Sequence, residues 1–221
     1  MGIPTPTHAN SVTRLSRSPA LRTFALAGLI GPAWFTTLVV VQGFLAPTYS
    51  HVAMPISALA AWPTGWIQNL NFYVFGTLMM IFAVGLHRGV QNTRRGVAAF
   101  VLAAVSAGGI VSAGIFPWTM VAGVPSETPP HVAAAIIAFS TGGVGFILFS
   151  KRMKADPRWR DLGMYTLCTG VVILVLFVTL GFFAIDDGAP LHPWAGLLQR
   201  ILCAVWFTCT IVLAVRLRRL A

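Results

Sequence analysis

Six long apolar stretches, at 23–46, 69–86, 96–116, 132–149, 163–185 and 196–215, leave this chain few ways to fold. Each approaches the ~20 residues that a helix needs to cross a hydrocarbon core. None shows the period-2 alternation over ~10 residues that marks a membrane β-strand, which excludes a barrel. Charged residues make up 9% of the chain, where a soluble domain carries about 25%. The expected fold class is an all-α integral membrane protein with six transmembrane helices.

The loops between the stretches supply the orientation. Arg14, Arg17 and Arg22 precede the first helix, and Arg88, Arg94 and Arg95 separate the second from the third. Lys151, Arg152, Lys154, Arg158 and Arg160 lie between the fourth and fifth, and Arg216, Arg218 and Arg219 follow the sixth. The remaining basic residue, Arg200, falls within the sixth helix. Every second loop is therefore basic, and the rule that such loops stay inside places both termini in the cytoplasm. The domains follow as a cytoplasmic tail 1–22, a six-helix domain 23–215 and a basic cytoplasmic tail 216–221. Fourteen of the 15 basic residues behind the net charge of +10 fall on one side of the proposed membrane, so no nucleic-acid partner is expected. Membrane lipids are, and a homo-oligomer is left open. The expected location is the plasma membrane of a bacterial or archaeal cell.

Small residues crowd the third and fourth helices, with Gly108 and Gly109 in one and Gly142, Gly143 and Gly145 in the other. Such residues let helices approach closely in lipid, where hydrophobicity cannot drive association. The non-basic side holds the candidate chemistry. Pro55 should open a short helix over 55–61, lying in the interface where Trp62 and Trp66 are at home. No carboxylate falls at mid-membrane, which argues against proton-coupled transport.

Three readings of function follow. The first is a non-enzymatic protein with no cofactor, binding a lipid or small amphiphile in an outward-facing pocket of Trp62, Trp66, Asn71, His131 and Arg200. Arg200, with Gln199 beside it, would either snorkel, pair with Asp186 or Asp187, or hold an anionic head group. The second is a membrane-embedded hydrolase in which His51, His131 and His192 bind zinc, assisted by Ser57 or Asp186. Three imidazoles with an open fourth position make a bound water nucleophilic. The third is a transporter of an uncharged solute.

The series YSHVAMPISALAAWPTGWIQNLNF, AVGLHR, GIFPW, a histidine opening the fourth helix, and LLQR resembles a bacterial and archaeal family of six-helix membrane proteins. That family is known as domain of unknown function nine-nine-eight, and the likeness covers roughly residues 25–215. Many of its members carry an acidic residue shortly after the Ile-Ser pair and another after Phe-Pro. Here those places hold Ala58 and Trp118-Thr119, so a site built on those acids would be missing. The resemblance implies the architecture and no reaction.

Overall fold

The computed structural model describes residues 19–91, 94–186 and 188–221, with the side chains of 94–96 not described. The expected tail, with Arg14 and Arg17, lies largely outside these residues, as does Asp187. Six helices, each long and apolar enough to cross a membrane, make up most of the chain. They are α1 (Pro19–Leu45), α2 (Gly65–Gly89), α3 (Arg94–Ile115), α4 (Pro129–Ala155), α5 (Gly163–Phe183) and α6 (Ala195–Leu220).

Several run past the apolar stretches that announce them. α4 begins at Pro129-Pro130, residues suited to a first helical turn, and continues through Lys151, Arg152 and Lys154. Basic side chains favour a helix C-terminus, so the helix outlasts its hydrophobic run. α1 carries Pro32 in its interior.

Each helix packs on the next in sequence, and α6 returns to α1, so the six close into a ring. α6 also reaches α2 across it. Small residues set the spacing in the α3–α4–α5 arc. A Cβ at Gly109 would stand 2.8 Å from the Ala138 backbone nitrogen, and one at Gly170 would stand 2.6 Å from the Gly143 carbonyl oxygen. Side chains there would force the helices apart.

At the basic end a polar clamp ties two loops together. Arg152 is 2% exposed. Its Nε donates to the Gln91 carbonyl at 2.8 Å, and its Nη2 donates to the carbonyls of His87, at 2.7 Å, and Val90. These carbonyls belong to the end of α2, where no further helical turn can satisfy them. Asp156, also 2% exposed, accepts from the Gln91 backbone N–H at 2.9 Å and pairs with Arg158 at 2.8 Å. Buried Trp159 donates to the Gly89 carbonyl, and Arg216 on α6 pairs with Asp161.

The opposite end differs from expectation in two ways. The segment 55–61 does form a short helix, a 3-10 turn over Ile56–Ala61 with Pro55 before it. It does not lie along an interface, because Ile56 to Ala60 are buried. The turn instead fills the mouth of the ring, touching α1, α2 and α6. The α3–α4 connection also folds into a hairpin, β1 (Thr119–Val121) against β2 (Val124–Ser126). Ala122 and Gly123 turn it with φ of 49° and 81°, the doubly left-handed backbone of a tight hairpin turn.

Candidate functional site: a head-to-tail cavity at the non-basic end

The loop after α1 is laid across the start of α6. Leu197 N–H donates to the Val52 carbonyl at 2.9 Å, and Gly196 N–H donates to that of Ala53 at 3.3 Å. Arg200, one turn further on, completes the attachment. Its Nη1 donates to the Met54 and Gly196 carbonyls at 3.2 and 2.9 Å, and its Nη2 donates to the Tyr49 hydroxyl at 2.6 Å. The same Nη2 lies 3.1 Å from His51 Nδ1. A guanidinium only donates, so Nδ1 carries the lone pair and Nε2 the proton. Burial, and then the Arg200 charge, lower the His51 pKa and favour that neutral ring. Burial raises the Tyr49 pKa, with Arg200 opposing it.

Beneath the loop, Gln199 Oε1 accepts the Ile56 backbone N–H, fixing the 3-10 turn to α6. Gln42 Nε2 holds the same turn from α1, donating to the Leu59 and Thr64 carbonyls at 3.2 and 3.0 Å. Under the turn lies a cavity enclosing about 540 Å³ of space between atoms, mouth included. Its walls are mainly aromatic, from Phe35, Phe72, Phe75, Phe139, Trp206 and Phe207. Its polar members, Ser57, His131 and Gln199, come from the 3-10 turn and the first turns of α4 and α6. His131 is 3% exposed. Its Nδ1 lies 2.8 Å from the Phe116 carbonyl and 3.1 Å from that of Ala113, so Nδ1–H is the donor.

A second chamber, lined by α2, α3, α4 and α6 and reaching His87 toward the basic end, has about 630 Å³ of space between atoms, mouth included. Its lining is mainly apolar, with His87, Ser106 and Thr210 the polar members. Ile110 and Trp206 line both chambers. A Cβ at Gly142 would lie 2.5 Å from the Trp206 ring, so this glycine makes room for the indole.

Of the five residues expected to line a pocket, the structure places only His131 in the cavity. Trp62 is buried and donates to the Pro47 carbonyl at 2.9 Å. Trp66 is 65% exposed. Asn71 sits between α1 and α2, donating to the Phe35 carbonyl at 3.2 Å. Arg200 is occupied by the loop and makes no ion pair with a described carboxylate. Ser57 and Gln199 take the places at the cavity that Trp62 and Arg200 were expected to fill.

The three histidines do not converge. His51 is held by Arg200, His131 by two carbonyls of the α3 end, and His192 lies 3.2 Å from the Ala184 carbonyl. Among the described residues no group of three His, Cys, Asp or Glu could hold a metal ion. The zinc arrangement of His51, His131 and His192 is therefore not the one the fold builds. Each imidazole is engaged by its own surroundings, and the guanidinium on His51 would repel a cation.

The model of one family, described as a protein of unknown function (DUF998), matches residues 29–216. No curated protein and no solved structure matches the chain.

Proposed function

The chain belongs to the DUF998 family of unknown function, and from that premise we propose that it is a membrane protein that binds a lipid or small amphiphile. The cavity under the 3-10 turn is the binding site. One observation carries the reading: the cavity is walled almost wholly by apolar side chains, six of them aromatic. Ligand sites combine such a mostly apolar lining with a few polar residues, here Ser57, His131 and Gln199. The basic loops support an orientation with both termini in the cytoplasm, which turns the cavity outward.

Mass spectrometry of solvent extracts from the detergent-purified protein tests the proposal. A single amphiphile class should co-purify near one per chain. Ala135 lines the cavity, so Ala135→Phe should fill it and remove that class while the protein remains folded. Equal lipid content in the two proteins refutes the reading.

A further inference from the structure

We infer that the outer groove between α1 and α6, at the basic end, docks an anionic phospholipid, with Arg22 and Arg218 on the two banks taking its phosphate. The groove lies at the opposite end of the ring from the cavity under the 3-10 turn, and the inference is independent of that cavity.

The register of the two helices brings these arginines to one level. A Cβ at Gly28 would stand 2.9 Å from the Ala214 Cβ, so α1 and α6 meet there at small residues. Nearer the basic end, Leu21 and Leu217 both approach Gly89 on α2. Leu21 precedes Gly28 and Leu217 follows Ala214, so the two helices run antiparallel. From their meeting point Arg22 and Arg218 lie about 9 and 6 Å toward the basic end, at ~1.5 Å per residue.

Helical periodicity sets both on the outer side of that junction. On α1 the positions of Phe24 and Gly31 meet Gly85 and Met79 of α2, and at ~100° per residue Arg22 falls on the flank away from α2. On α6, Leu217 packs inward against Gly85 and Gly89, and Arg216 turns away to Asp161. Arg218 is left on the flank beside α1. Residues three, four and seven apart share a helix face, so each bank has an arginine at its basic end and aliphatic side chains beyond it. Leu26 and Leu29 follow Arg22 along α1, and Val215 and Ile211 lead up to Arg218 along α6. Arg22, Leu26, Ile211 and Arg218 are exposed.

Charge names the partner. Among the described residues neither arginine has a carboxylate or carbonyl partner. Asp156 and Asp161, the carboxylates of this end, are spent on Arg158 and Arg216. Arg88, held over the Phe24 ring at 5.4 Å, adds a further cation at the α1–α2 junction. A phosphodiester accepts hydrogen bonds from guanidinium forks, and basic pockets between membrane helices suit anionic head groups. The aliphatic rows favour a lipid over free phosphate, because acyl chains can lie along them while the phosphate stays at the arginines.

Native mass spectrometry of the detergent-purified chain provides the test, with phosphatidylglycerol or phosphatidylcholine of the same acyl chains titrated in. Phosphatidylglycerol should bind about 25-fold more tightly, roughly fivefold for each arginine. Arg22→Gln together with Arg218→Gln should bring that ratio to within about twofold of one. Lys151→Gln together with Lys154→Gln removes the same charge from exposed positions on α4, and should leave a ratio above about tenfold. Phosphatidylcholine affinity should be alike in all three proteins, and inorganic phosphate in about tenfold excess should displace neither lipid. Equal affinity for the two lipids in the parent chain, an equal loss in both double variants, or displacement by inorganic phosphate overturns the inference.

Discussion

Asp156 offers a quantitative handle on the polar clamp. Both carboxylate oxygens are in use: Oδ2 accepts from the Gln91 N–H and Arg158 Nη2, and Oδ1 accepts from Arg158 N–H and Nε. Hydrogen bonds from Arg158 are the main cause of a pKa lowered from 3.8 to about 2. A depressed carboxylate pKa adds stability that is fully present above the unfolded value and is lost as pH falls through the folded one. The window here runs from about pH 4 down to pH 2. At ~1.4 kcal/mol per unit, the shift corresponds to about 2 kcal/mol at neutral pH. Asp156→Asn keeps one acceptor oxygen and removes the charge, so it should cost about that much. In a chain of this size the Tm should fall by roughly 4–8 °C. Thermal unfolding in detergent, followed by tryptophan emission across pH 2–7, measures it. The gap between parent and variant should close as pH drops to 2. A gap that stays constant over that range would refute the assignment of the stability to ionised Asp156.

Other outcomes follow from neighbouring features. Arg152→Leu strips the donors from the carbonyls of His87, Val90 and Gln91 and should cost about 3 kcal/mol in the same unfolding assay. Arg152→Lys should recover only part of that, since an ammonium lacks the planar fork. At Gly196 a Cβ would stand 2.3 Å from the Met54 carbonyl oxygen. Gly196→Ala should therefore lift the loop 46–55 off α6, read as faster amide hydrogen exchange at Leu197. In a background without the three native cysteines, Val124→Cys in the hairpin should react with an impermeant maleimide on intact cells, and Arg160→Cys should not. The reverse pattern inverts the orientation.

The six helices were legible because each is a long apolar run, and the alternation of basic loops needed only their positions. The end of α4 was not, because hydropathy stops at Phe149 and Ser150 while the backbone continues helical to Ala155. The hairpin escaped because its strands are three residues long, too short for alternation to register. Its Ala122-Gly123 turn was the sole local signal. Of the candidate pocket residues, His131 lines the cavity, while Trp62 and Arg200 bond to backbone carbonyls of the loop after α1. Arg200 and Trp62 are polar or amphipathic groups at a membrane boundary, and sequence cannot say whether their partner is a ligand or the chain's own carbonyls. Ser57 reaches the cavity because Gln199, 142 positions beyond it in the chain, anchors the adjoining amide of Ile56. No local pattern encodes a pairing at that separation.

The clamp at the basic end also sets an order of assembly during synthesis. The carbonyls that close α2 wait for Arg152, which follows Gln91 by 61 positions. At ~5–20 residues per second, the ribosome takes roughly 3–12 s to supply it. Through that interval the α2–α3 hairpin must be sheltered by water at the bilayer surface or by the insertion machinery. The ring itself stays open longer still, until α6 emerges to meet α1. The cavity is therefore a late product, formed only when the last helix brings Gln199 and Trp206 to walls already in place.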